Sequence, residues 1–142
     1  MAAEPALSRP HPDVLRPRKS HICAFFHNQD EEYEVLLPFI KQGLVKGEKA
    51  YHIVDPKLRK EHLRRLEATG IDVRGAMARR QLEVKVWEEA YLRNERFDQG
   101  EMATFIESAL KEARSQGFRS TRLVAHMEWI LEVRPSVEDY LE

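Results

Sequence analysis

Histidine, cysteine and glutamate side chains accompany two apolar runs of the sequence. His21, Cys23 and His27 stand within or beside the run ICAFF, and His126 and Glu128 follow the run LVA. Imidazole and thiolate groups bind metals, and a histidine near a carboxylate or a thiol is a common acid–base or nucleophile pair. On an extended strand, however, Cys23 and His27 would lie about 13 Å apart, too far to share a metal ion. A ligand from a neighbouring strand would be needed, so we expect no metal site, and a buried thiol is the simpler interpretation.

Catalytic and nucleotide-binding motifs offer little support for enzymatic activity. The sequence contains no serine elbow, paired-carboxylate signature or glycine-rich oxyanion loop. The segment GLVKGEK, residues 43–49, is one residue too short for a phosphate-binding loop and has no serine or threonine after its lysine. It also ends a predicted helix, whereas a phosphate-binding loop precedes one. We therefore predict a protein that is not an enzyme and binds no cofactor.

Length and charge exclude several classes of function. The 142 residues suffice for one domain, and 23 Lys and Arg nearly balance 24 Asp and Glu, which disfavours direct nucleic acid binding. No apolar run reaches the length of about 20 residues that a membrane span requires. The single cysteine excludes an internal disulfide and is typical of a reducing compartment, so a cytoplasmic protein is expected.

Periodicity predicts alternating strands and helices. Residues 21–26 lack polar alternation, which favours a strand covered on both faces. Asn28 and Glu31 then form a helix-capping pair, Pro38 should kink the helix, and Gly47 ends it before a strand near Lys49. This strand–helix–strand unit is the expected centre of the fold.

The remaining elements follow from caps and stripes. Asp55 and Pro56 predict a helix start, with the helix ending near Thr69. The other predicted elements are one or two helical turns at 74–80, an edge strand at 81–87, a loop over the sheet at 88–98, a helix at 99–116, a central strand at 122–127 and a last helix from Pro135. The fold class is therefore α/β, with a mainly parallel central sheet flanked by helices.

Ligands of parallel sheets bind beyond the carboxyl ends of the strands. Aromatic and polar residues are predicted at those ends, where they would form the walls and orienting groups of a small-molecule pocket. The predicted ligand-binding residues are His21, Cys23, Phe26, His27, Trp87, His126, Glu128 and Trp129. Capping of the sheet by the two tryptophans is the structural alternative.

Several blocks of residues follow one another in a fixed order over essentially everything after residue 20. They are HICAFF at 21–26, DEE at 30–32, LPFI at 37–40, GL at 43–44, GEK at 47–49, RL at 65–66, GI at 70–71, QLEV at 81–84, WEEAY at 87–91, FD at 97–98, Met102 and MEW at 127–129. Together these blocks resemble the MEDS sensory domain, the methanogen/methylotroph, dichloromethane-regulator type.

The resemblance implies a RecA/KaiC-like core without a phosphate-binding loop, and a prokaryotic module that senses small hydrocarbon derivatives. Residues 21–142 would form this domain after a disordered Pro- and Arg-rich tail at 1–20, and similar domains continue through another helix and strand. A partner signalling protein or a homo-oligomer would transmit the signal. The alternative is a ligand-independent module that binds a kinase, a sigma-factor regulator or a transcription factor.

Overall fold

Three parallel strands form the sheet in the computed structural model, which describes residues 21–90 and 97–128. The strands are β1 (Lys49–Val54), β2 (Leu82–Val86) and β3 (Thr121–Ala125), in the order β2-β1-β3. The helices are α1 (Gln29–Val45), α2 (Arg59–Ala68), α3 (Val73–Ala78), α4 (Trp87–Ala90) and α5 (Gln99–Ser115). The predicted α/β class with a parallel sheet is confirmed, whereas the described residues do not establish a RecA-like core.

Side-chain alternation along β1 divides the core between the two faces of the sheet. Ala50 and Val54 point to the face that carries α1, α2 and α3, where Ile40 and Leu66 pack. Tyr51 and Ile53 point to the opposite face, where α4 and α5 pack. β1 is buried along its whole length because it has a strand on each side and helices on both faces.

Two long helices begin as their sequences predict. The side chain of Asn28 accepts a hydrogen bond from the backbone N–H of Glu31 and caps α1, which continues through Pro38. The carboxylate of Glu31 accepts from the backbone N–H of His27. Asp98 caps α5 in the same way as Asn28 caps α1.

Buried ion pairs close the amino end of the sheet. The Nζ of Lys49, a residue only 1% exposed, donates to the carbonyl oxygen of Arg80 and to Gln116, and lies 3.0 Å from the carboxylate of Glu83. Arg122, at the start of β3, pairs with Glu48. The Lys49–Glu83 and Arg122–Glu48 ion pairs therefore hold this end of the sheet together.

Residues 21–26, which were predicted to form a strand, do not form one in this structure. The segment has no strand pairing, and Ile22 and Phe25 are 80% and 96% exposed. β2 and β3 already occupy both sides of β1, so the segment cannot pair with β1, whatever its apolar character. The predicted βαβ unit therefore consists here of only α1 and β1.

Three other predicted elements need correction. Asp55 and Pro56 begin a turn, in which Asp55 accepts from the backbone N–H of Lys57, and α2 begins only at Arg59. Residues 87–90 form the short helix α4, because Glu89 accepts from the backbone N–H of Val86 as a helix-start side chain does. β3, predicted as a central strand, pairs with β1 alone among the described strands and is an edge strand of the described sheet.

Several expectations fall on residues outside the described ranges. These are the tail at 1–20, most of the loop predicted at 88–98, Trp129 and the helix predicted from Pro135. Among the described residues, no helix combines the length and apolar character that a membrane crossing requires.

Candidate functional site

A chain of buried hydrogen bonds crosses the carboxyl half of the sheet on its α1–α2 face. Tyr33 Oη lies 2.6 Å from His62 Nδ1, and His62 Nε2 lies 2.8 Å from His52 Nδ1. The two histidines are fully buried and Tyr33 is 3% exposed. One residue each from α1, α2 and β1 therefore forms a continuous Tyr–His–His chain.

A third buried histidine lies beside this chain. His126, the residue after β3, places its Nε2 2.9 Å from the carboxylate of Glu32 on α1, and its ring centroid is 5.8 Å from that of His62. The indole N–H of Trp87 donates to the carbonyl oxygen of His126. We call His52, His62, His126, Tyr33 and Glu32 the histidine cluster.

Burial and local charge give the three histidines different pKa values. Burial, reinforced by His62 and His126, lowers the pKa of His52 well below its ordinary value. Burial and the positive charge of His126 lower the pKa of His62 to about 4. Burial opposes protonation of His126 as well, but its contact with Glu32 and the nearby carboxylates outweigh this effect and raise its pKa. Within the cluster, protonation is thus favoured at His126, beside the carboxylate of Glu32, and disfavoured at His52 and His62.

The hydrogen-bond chain has two directions. If Tyr33 donates to His62, then His62 donates to His52, and the Nε2 of His52 carries a hydrogen. In the reverse direction, that atom is a bare acceptor. Among the described residues, His52 Nε2 is buried and has no hydrogen-bond partner in either case. A ligand group that hydrogen-bonds to the hydroxyl of Tyr33, as a donor or as an acceptor, would therefore set the direction of all the hydrogen bonds from Tyr33 to His52.

Local sequence positions each member of the cluster. His52 belongs to the face of β1 that also carries Ala50 and Val54. His62 and Leu66 are one helical turn apart on the buried side of α2. Glu32 and Tyr33 lie in the first turns of α1, whose start is capped by Asn28. The contact of Glu32 with His126 shows that this start lies beside the carboxyl end of the sheet.

Only part of the predicted site comes together. Trp87 and His126 meet through the indole hydrogen bond, and Glu128, although exposed, raises the pKa of His126 from nearby. The other predicted residues of the described ranges lie before α1: His21, Cys23 and His27 are exposed and Phe26 is half-buried. In the arrangement of this structure, the thiol of Cys23 is exposed and not buried as predicted. As ligand contacts these four residues stay a prediction, and Trp129 lies outside the described residues.

Four members of the cluster were missed as site residues. His62 lies four residues before Leu66 and suggests only the packing of a helix, and Glu32 and Tyr33 look like an ordinary first turn. His52 carries the clearest signal, since a histidine inside the otherwise apolar strand segment YHIV has to be buried. The sequence does not reveal that three distant segments bring these side chains together.

The cluster is not arranged as a metal site, and two surface grooves lie away from it. Within residues 21–90 and 97–128, no three histidine, cysteine or acidic side chains are placed to hold a metal ion. One groove, of about 350 Å³, runs along β2 and includes Glu83 and Gln116. The other, of about 260 Å³, lies between the end of α1 and the start of α3.

Comparison with known proteins identifies the family. The model of the MEDS family, described as the methanogen/methylotroph, DcmR sensory domain, matches residues 20–142. Searches of curated proteins and of solved structures found no match. The match extends over all the elements described above, including those that carry the histidine cluster. The chain belongs to the MEDS family of sensory domains.

Proposed function

We propose that this chain is a non-catalytic sensory domain of a signal-transduction system, and that it binds a small, mostly apolar molecule at the carboxyl ends of its strands. The histidine cluster is the observation that carries this proposal. The three buried histidines lie together toward the carboxyl side of a parallel sheet, and ligands of such folds usually bind beyond that side. Membership of a sensory family supports the same role.

The ligand would contact the outer side of the cluster. Tyr33, His126 and Glu128 would orient its polar group, because the charge of Glu128 acts on both Tyr33 and His126. Trp87 would provide an apolar wall. Binding that favours one direction of the Tyr–His–His chain would favour one arrangement of α1 and α2, which supply its first two members.

Thermal unfolding with defined probes tests this function. Methanol, 1-propanol, dichloromethane and toluene would each be added to the full chain, since a bound probe at a hundred times its Kd adds about 2.7 kcal/mol of stability. We expect one chemical class to raise the midpoint, the His126→Gln variant to lose the rise, and the His27→Gln variant to keep it, because His27 is exposed. A rise of equal size in both variants would contradict the site.

A second function is favoured by exposed apolar side chains on α1. Val35, Phe39 and Val45 are 57%, 41% and 81% exposed, which is unusual for three large apolar residues on one helix. A ligand-independent module would use them to bind a signalling protein or a second copy of the chain. If light scattering shows a dimer that Val35→Asp dissociates, whatever probe is present, the interaction function would replace the sensory one.

A further inference from the structure

We propose that the apolar segment at residues 21–26 docks as a fourth parallel strand on the outer edge of β3. The structure contains this segment in an exposed form, with Phe25 96% exposed and Cys23 exposed beside it. Its six residues, HICAFF, include only one polar side chain other than cysteine, so leaving them in water is unfavourable. The inference does not depend on which ligand the domain binds.

The outer edge of β3 lacks the charges that protect a permanent edge strand. At the opposite edge, β2 carries Glu83 and Lys85. β3 carries a single charged residue, Arg122, whose guanidinium is directed to Glu48 and to the carbonyl oxygen of Phe39. Exposed edges without charges or prolines tend to pair with another strand. In addition, Val124 is the only buried residue of β3, whereas all six residues of β1 are buried.

The handedness of the connections selects this edge. The step from β1 to β2 passes through α2 and α3 on one face of the sheet, and the step from β2 to β3 passes through α5 on the other face in the opposite direction. Such crossovers are right-handed in nearly all proteins. α1 lies on the same face as α2, so a strand that leads through α1 into β1 has to lie on the β3 side of β1. Because β3 is already next to β1, the position left is the outer edge of β3.

The direction of α1 brings the segment to that edge. The first turns of α1 contact His126 beyond the end of β3, and the later residues Phe39 and Gln42 accept hydrogen bonds from Arg122 near the start of β3. The helix therefore runs antiparallel to β3, and its start lies at the carboxyl end of that strand. A turn of two residues, His27 and Asn28, separates the segment from α1, which is a usual length for a strand–helix connection.

Docking would give the domain two arrangements of one element, as a sensory switch requires. Helices cover both faces of the sheet, which matches the unbroken apolar character of the segment. The chain's own segment is favoured over a segment from a second copy because the two-residue turn already holds it beside β3.

The single thiol of the chain provides the test. Cys23 would be modified with N-ethylmaleimide in the native full chain and in the chain unfolded in urea. Docking predicts that the native thiol reacts at least about tenfold more slowly, independently of protein concentration. The Phe25→Asp variant should react at the unfolded rate, because an aspartate cannot be buried against β3. The matched variant Val45→Asp changes another exposed apolar residue and should keep the slow rate.

Equal rates in the native and unfolded chain would overturn the proposal. So would equal slow rates in the wild type and the Phe25→Asp variant, since protection would then come from elsewhere. Protection that increases with protein concentration would assign the docked strand to a second copy and would overturn the intramolecular docking proposed here.

Discussion

At the amino end of the sheet, the ammonium group of Lys49 has three oxygen partners, whereas at the carboxyl end His52 has a buried nitrogen with no partner among the described residues. Both residues belong to β1 and both are fully buried. A buried charge with matched partners fixes a structure, and a buried group without one is costly and needs another reason to be there. The comparison assigns a structural role to the amino end and supports the ligand site proposed at the carboxyl end.

The largest expected effect follows from removing the lysine at the amino end. Lys49→Met keeps most of the apolar stem, but it removes the donor to Gln116 and to the carbonyl oxygen of Arg80 and leaves Glu83 with only Lys85 as an ion-pair partner. We expect a loss of about 3 kcal/mol in the free energy of unfolding, measured with urea. The exposed Lys60→Met is the matched control and should change this free energy by less than about 0.5 kcal/mol. Equal effects of the two variants would remove the contrast between the ends.

Acid should destabilise the domain through the carboxyl end. His62 has a pKa of about 4 when folded, so between pH 6.5 and that value the unfolded chain binds a proton that the folded chain does not. Stability should therefore fall as the pH is lowered through this range, by about 3 kcal/mol for this residue, with His52 adding to the fall. His126 acts in the opposite sense, since its raised pKa adds stability that is lost as the pH rises through the folded value.

Urea unfolding between pH 4 and pH 8 measures this dependence. The His62→Phe variant should flatten the acid side of the profile, and the exposed Lys60→Met should leave its shape unchanged. A profile that His62→Phe does not alter would show that acid acts elsewhere.

A smaller effect is expected from the end of the hydrogen-bond chain. Tyr33→Phe removes only the hydroxyl that lies 2.6 Å from His62 Nδ1, which should cost about 1 kcal/mol in urea unfolding. It should also change the response to any probe that raises the unfolding midpoint of the wild type. No change in either measurement would detach Tyr33 from the site.

The smallest expected change in stability, that of a His52 variant, distinguishes the two ends of the sheet most clearly. His52→Leu removes the buried Nε2 atom, which lacks a partner, and puts an apolar side chain of similar size in place of the imidazole. It also removes the hydrogen bond between His52 Nδ1 and His62. Because these two changes offset each other, we expect the free energy of unfolding to change by less than about 1 kcal/mol. Urea unfolding beside Lys49→Met gives the contrast directly, and losses of similar size would make both ends structural.

The sequence predicted the elements whose signals are local. Asn28 and Asp98 cap α1 and α5 because a side-chain oxygen next to a free N–H needs no tertiary contact, and the alternation of β2 follows from one covered face. Pairing in a sheet is not local, which is why residues 21–26 were predicted as a strand that this structure leaves unpaired. The members of the histidine cluster other than His126 were missed for the same reason, since α1, β1 and α2 each supply part of it.

A pH titration of the histidine side chains by heteronuclear NMR tests the account most directly. We expect His126 to titrate at a higher pH than an ordinary histidine, His62 to titrate near pH 4, and His52 to titrate well below the ordinary histidine pKa. The three resonances would be assigned with the variants His52→Leu, His62→Phe and His126→Gln. Titration of all three near pH 6.5 would contradict a buried cluster at the carboxyl end of the sheet.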